Sequence, residues 1–226
     1  MQANPLAESE TFEIRTEVNP LRPVASQDRF ESIRAIADQH MMDVRWNGKR
    51  EARRSYLTEL LEIVNGTGRR ISAVCQLRYM DLRLSDGPHG SIRWPADTDK
   101  MGRETLVPIG PRVRSALDRL LRERPGAGDL PLFPSPTDRG TPLSRHQADK
   151  WLRAGEKMAE VEPLKGSLWH AYRRKWATER KHLPDVDVAA AGGWKTAECL
   201  RTAYQQADQE TMLKVVLEAG ELREAR

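Results

Sequence analysis

Four short segments carry side chains that could act on a phosphate. The first is Trp169-His170-Ala171-Tyr172-Arg173-Arg174-Lys175-Trp176. His170 and Arg173 are three residues apart, which puts them on one face of a helix. Arginine offers planar bidentate donors and histidine a donor or a proton relay, a pairing suited to a phosphate. The alternative is an amphipathic helix with a solvated polar face, Trp169, Tyr172 and Trp176 packing on the other side. The second segment is Gly66-Thr67-Gly68-Arg69-Arg70-Ile71-Ser72. Its glycine break and helix start gather backbone N–H groups and two arginines near one point, which favours an anion. It lacks the Lys-Ser/Thr ending of a P-loop, and taken alone it reads as a helix C-cap with two exposed arginines. The third is Lys100, in the turn of Asp99-Lys100-Met101-Gly102-Arg103-Glu104-Thr105-Leu106-Val107-Pro108. It is either solvent decoration or a group that reaches into a groove and gives a proton to a leaving oxygen. The fourth is Gly192-Gly193-Trp194-Lys195, with Tyr204 ten residues after the tryptophan; either aromatic, alone, could be packing.

The elements around these residues are mostly helices. Apolar residues at Phe30, Ile33, Ile36 and Ala37 predict a helix from Ser26 to His40, and Leu57, Leu60, Leu61 and Val64 a second one stopped at Asn65 to Gly68, where glycine supplies a left-handed backbone. Trp46 to Lys49 is a turn, and a short helix follows from about Arg70 to Leu77. Asp81 to Leu84, Gly90 to Trp94 and Thr105 to Ile109 read as three strands of a small antiparallel sheet, with turns at Ser85 to Pro88 and Asp97 to Gly102. Pro111 opens a helix with Val113, Ala116, Leu117, Leu120 and Leu121 on one face. Ser144 caps a helix through Met158, Ser167 caps the one carrying the His-Arg pair, and shorter helices cover 186–191, 196–206 and 209–223.

Composition narrows the function. The 226 residues hold 37 Lys plus Arg against 33 Asp plus Glu, a net charge of +4. Basic clusters recur at Lys49, Arg50, Arg53 and Arg54, at Arg69-Arg70, and at Arg173-Arg174-Lys175 with Arg180-Lys181. Such patches are either a nucleic-acid footprint or solvated helix faces. With 38% hydrophobic residues and six Trp, the chain can bury a core. It has no apolar run of the ~18 residues a membrane span needs, and its N-terminus has no apolar secretory segment. Cys75 and Cys199 are too few for a disulfide framework or, without clustered histidines, for a zinc site. A cytoplasmic, reducing compartment is the default expectation.

Taken in order, the four segments resemble the tyrosine recombinase (phage integrase) family. Thr67 to Ser72 is similar to that family's first arginine motif, with Arg70 at the catalytic position. Lys100, eight residues before Pro108, has the spacing of its β-hairpin lysine. His170-Ala171-Tyr172-Arg173, with Ala177-Thr178 after it, resembles the His-x-x-Arg box. Trp194 after Gly-Gly is a variant of the usual Gly-His, and Tyr204 falls where the nucleophile belongs. The resemblance runs from about residue 55 to 210.

It implies an α+β fold, mostly α-helical with a small three-stranded antiparallel sheet, of the DNA breaking-rejoining kind. Tyr204 would attack a scissile phosphate of double-stranded DNA, forming a 3′-phosphotyrosine and releasing a 5′-hydroxyl. A free phenol ionises near ~10 and is a poor nucleophile at neutral pH, so it needs help. Arg70 and Arg173 would hold the non-bridging oxygens, Lys100 would protonate the 5′-oxygen, and His170 would assist proton transfer at the tyrosine or hold the phosphate. Trp194 would donate its indole N–H to the phosphate. Arg69, Arg174, Lys175 and Lys195 would contact DNA. Neither metal nor cofactor is implied. The expected assembly is a homo-oligomer, a tetramer on paired DNA sites, with the 209–223 helix either docked on a neighbour or packed internally.

Two departures from the pattern stand out. Ala73 occupies the place of an acid that normally supports the active-site arginines. Residues 1–26, with prolines at 5, 20 and 23, read as a linker or arm, and 27–226 as the catalytic domain, with no helical core-binding domain expected ahead of it. The competing functions are a type IB topoisomerase-like nicking-closing enzyme and a catalytically inactive DNA-binding accessory module.

Overall fold

The computed structural model describes residues 22–98, 102–164, 166, 168–207 and 211–217. Helix α1 (Gln27–Ala37) starts where the Ser26 hydroxyl accepts the Arg29 N–H, and it buries Phe30, Ile33 and Ala37. A hairpin follows, β1 (Met41–Trp46) and β2 (Lys49–Arg54), with Trp46 paired to Lys49. Asn47 and Gly48 both take positive φ, 52° and 74°, which is the two-residue turn that matches strand twist. The expected turn is there; its flanking strands were not anticipated. Met42 and Val44 alternate into the core, while every residue of β2 is polar or small and none is fully buried.

Helix α2 (Leu57–Thr67) is the centre of the molecule. Leu57, Leu60, Leu61, Ile63 and Val64 are fully buried, because α1, α4 (Pro111–Glu123), α5 (Arg145–Met158), α6 (Leu168–Glu179) and the short α3 (Ile71–Cys75) all pack on it. Such all-round burial needs an apolar surface wider than one stripe. The three expected strands form one antiparallel sheet in the order β3 (Leu82–Arg83), β4 (Ser91–Trp94), β5 (Thr105–Pro108), with Ile92 opposite Val107. Pro111 opens α4, and the Ser144 hydroxyl caps α5 by accepting the Gln147 N–H. The chain closes with α7 (Asp185–Gly192), α8 (Ala197–Ala203) and a helical stretch at 211–217. In that stretch Met212, Leu213, Val215, Val216 and Leu217 are all exposed. The expected Ser167 cap, residues 1–21 of the expected 1–26 arm, and residues 209–210 and 218–223 of the expected 209–223 helix lie outside the described residues.

Buried carboxylates absorb part of the basic excess. Glu59, fully buried, lies 2.9 Å from both Arg54 and Arg119. Glu62 pairs with Arg34 and Arg112, and Glu156 with Arg29 and Arg153. The cluster at 49–54 is thus largely internal pairing: Arg50 with Asp43, Arg53 with Glu51, and Arg54 with Glu59 and Glu123. Glu59→Ala strands two guanidiniums, although Arg54 keeps Glu123 and Arg119 keeps Asp38. The expected loss is roughly 3 kcal/mol, the low end for breaking a buried pair, read from the urea midpoint at unchanged slope. A loss under about 1 kcal/mol would class the pair with surface bridges.

Candidate active site

The site is built where α2 ends. Gly68 caps α2 in the left-handed region, φ 64°. A Cβ here would stand 2.5 Å from the Trp176 ring, so the position requires glycine twice over. Its two successors are Arg69 and Arg70, and Arg70 occupies the N-cap of α3 in extended conformation. Helix α6 then lays Arg173 across the junction. Arg173 is 1% exposed. Its Nη1 donates to the Gly68 carbonyl and, at 2.6 Å, to that of Gly192, and its Nη2 donates to that of Gly193 at 3.3 Å. The guanidinium lies 3.7 Å over the Trp194 ring and 5.3 Å from the Tyr204 ring.

The hydrogen bonds of Arg173 therefore go to carbonyls and its ring contacts to aromatic faces, while its Nε–H has no acceptor among the described residues. Burial, joined by the charge of Arg70, pulls its pKa from the ordinary arginine value to about 9, with Tyr204 opposing the change. A buried cation with only dipoles around it is a poorly compensated charge. Arg70, half-buried, lines the small cleft in front of it together with Ala73, Trp94, Thr98 and Gly193. Ala73 therefore leaves no carboxylate on that wall of the cleft, and its positive charge is available to an incoming anion.

His170 is half-buried on the exposed edge of α6. Burial first, then the charges of Arg173, Arg174, Arg145 and Arg70, lower its pKa to about 4. The imidazole is neutral at pH 7 in the free protein. It can accept a proton only at a cost, and that cost falls once a phosphate offsets the arginines. Between about pH 4 and 6.5 the unfolded chain binds this proton and the folded chain does not. Stability is accordingly expected to fall as pH drops through that window. His170→Gln should flatten the loss in a series of thermal midpoints from pH 7 to 4.5; an unchanged slope would contradict the lowered pKa of His170.

The chain has four tyrosines, and their surroundings separate them. Tyr56 and Tyr172 are fully buried, and burial pushes each to about 12. The Tyr79 hydroxyl donates to the Arg124 carbonyl at 2.7 Å, and burial raises its pKa too. Tyr204, at the end of α8, is partly exposed, edge-on to Trp194 at 4.9 Å, and faces Arg173.

Several expected positions are corrected by packing. Helix α6 has no broad solvated face, because other elements cover it on nearly all sides. Arg174 is 5% exposed and donates to the Pro23 carbonyl; Lys175 is 4% exposed and pairs with Glu179. Arg69 is 4% exposed, with acceptors on α7 and β5. These three side chains are buried and engaged within the protein rather than exposed as expected, and Arg69 also borders the cleft of Arg70 and Arg173. Lys195 is exposed. Trp194 stacks on Trp176 at 5.8 Å, and its Nε1–H is buried without an acceptor among the described residues. In this conformation its ring carries Arg173 and Tyr204, and its N–H is not presented to solvent. Lys100 lies outside the described residues. The carbonyls of Gly68, Gly192 and Gly193 were missed as parts of the site; the only hint in the sequence was the glycines themselves.

No helix of the described residues is long and apolar enough to cross a membrane. No curated protein sequence matches the chain. Solved structures do. XerA recombinase superposes with a TM-score of 0.66 at 16% identity, over 88% of this chain and 65% of that one. XerH recombinase, in a post-cleavage complex with a palindromic difH substrate, gives 0.66 at 21%, over 89% and 54%. A lambda integrase dimer bound to a COC′ core site gives 0.60 at 18%, over 83% and 62%. The chain thus spans between half and two thirds of these proteins, and at such identities the likeness is one of fold. The sequence model of the phage integrase family matches residues 28–211, most of the chain, and the chain belongs to that family.

Proposed function

We propose that this chain is the catalytic domain of a site-specific DNA recombinase that cuts and rejoins strands through a 3′-phosphotyrosine. One observation carries the reading: Arg173, buried among carbonyls and aromatic rings with no carboxylate paired to it among the described residues, borders one cleft with Arg70 and faces Tyr204. The missing counter-charge has the chemistry of a phosphodiester. Tyr204 attacks the phosphorus, and the bond to the 5′-oxygen breaks. Arg70 and Arg173 hold the non-bridging oxygens as charge builds on them. Lys100 gives its proton to the departing 5′-oxygen, and neutral His170 takes the phenol proton or donates to the phosphate. The phosphotyrosine keeps the energy of the bond it replaced, so rejoining needs neither ATP nor a metal. Residues 27–226 form this domain and residues 1–26 its arm. Lys195 contacts the DNA backbone. The DNA named for the XerH and lambda integrase neighbours supports a double-stranded DNA partner, and the exposed apolar residues of 211–217 suit a second copy of the chain in an assembly on paired sites. The compartment is the cytoplasm.

The test is a covalent trap. The full chain is incubated with supercoiled and nicked plasmid in EDTA, quenched with SDS, and digested to find the DNA-linked peptide. An adduct on the peptide holding Tyr204 is expected. Plasmid binding with no adduct on either substrate would leave a DNA-binding module, and relaxation without strand exchange would favour a nicking-closing enzyme.

A further inference from the structure

The geometry points to Arg69 as a positioning residue for strand transfer, a bracket that fixes the end of α7 to strand β5 and so sets where Gly193 and Trp194 stand beside Arg173. This rests on the reading of the site proposed above. Arg69 adjoins Arg70 in sequence and borders the same cleft, but its hydrogen bonds go to α7 and β5. Its Nε donates to the Ala191 carbonyl at 2.9 Å, and its Nη2 to the Ala190 carbonyl at 3.2 Å and to the Thr105 hydroxyl at 2.7 Å. The guanidinium lies 5.0 Å over the Trp94 ring of β4. Gly193, at φ 71°, comes so near that a Cβ would stand 2.4 Å from Nη1.

One planar fork thus joins the α2–α3 junction, the sheet and the last turn of α7. Lysine, with a single point charge, cannot span those acceptors. The α7 carbonyls are the negative end of that helix, which suits a cation. From there the chain runs directly to Trp194, whose ring touches both Arg173 and Tyr204. A shift at this turn is passed to the nucleophile and to the phosphate-binding guanidinium together. A misplacement near 1 Å costs on the order of 10²-fold in rate.

The test compares Arg69→Gln, Arg69→Lys, Thr105→Val and Thr105→Ser with the wild-type full chain, using the same plasmids. Two readouts are independent. Amide exchange over 189–195 and 105–107 is expected to speed up in Arg69→Gln while α4 and α5 keep their protection. The adduct rate at saturating plasmid is expected to drop on the order of 10²-fold, with plasmid affinity and its salt dependence unchanged. Arg69→Lys should recover little. Thr105→Val should lose part of the rate and Thr105→Ser, which keeps the acceptor, should restore it; this pair decides the matter if Arg69→Gln fails to fold. Unchanged exchange in both segments overturns the bracket. So does weaker plasmid binding with a log–log salt slope smaller by about 1, the signature of a lost phosphate contact. If the wild type itself forms no adduct, the reading of the site fails, while the exchange data still decide the bracket.

Discussion

Tyr204→Phe is expected to abolish the covalent DNA adduct while leaving plasmid affinity and thermal midpoint close to wild type. The variant removes one oxygen. The ring contacts that place it, 4.9 Å from Trp194 and 5.3 Å from the Arg173 guanidinium, are available to phenylalanine as well. Deleting a catalytic nucleophile costs roughly 10⁶ in rate, which takes adduct formation below detection. No other tyrosine can substitute, since Tyr56 and Tyr172 are fully buried and the Tyr79 hydroxyl is engaged by a carbonyl. An adduct that persists in Tyr204→Phe, on whatever peptide, would overturn the assignment of the nucleophile.

Arg173→Met is expected to separate catalysis from stability. Its adduct rate should fall on the order of 10² to 10³-fold, the loss typical of one donor to a developing oxyanion. The effect on the fold is smaller because two contributions oppose one another. Hydrogen bonds from a charged donor to the Gly68, Gly192 and Gly193 carbonyls contribute about 1.5–3 kcal/mol each. Against them stands the desolvation of a cation that is 1% exposed, several kcal/mol by itself. A thermal midpoint within a few degrees of wild type, with the adduct rate collapsed, is the expected pair of results. Arg173→Lys keeps the charge but not the fork, and it should restore little of the rate. A variant that keeps near wild-type cleavage would remove Arg173 from the reaction.

Local signals predicted local structure well. Ser144 and the apolar spacing after it marked α5 from its cap to Met158, and Gly68 marked the end of α2. The β1–β2 hairpin was half legible. Asn47-Gly48 announced the turn, but Lys49 to Arg54 has no apolar alternation, and its strand exists because β1 pairs with it. The site divides in the same way. Arg70, His170, Arg173 and Tyr204 were candidates from residue type, order and family resemblance, and the structure brings them to one region. Their surroundings were not legible. Arg173 is held by residues 105 and 19 positions away, and Arg174 by one 151 positions away. Helical periodicity reports which side of α6 a residue occupies, but not that another element covers that side. For the same reason Arg69, Arg174 and Lys175 read as surface charge.

The aromatic half of the site belongs to a small cluster apart from the main core. It comprises Trp176, Ala177, Val188, Ala189, Trp194 and Leu200, with Tyr204 packed against it. Elements holding so little buried surface open at a lower free energy than the rest of a fold. Tyr204 therefore sits on a unit expected to open before the rest. On heating, the ability to form the adduct is expected to disappear several degrees before circular dichroism registers the loss of helices α1, α2 and α5, and to return on cooling. Inactivation and denaturation would then be two events with two midpoints, and a thermal assay of activity would report the integrity of this C-terminal unit rather than of the chain as a whole.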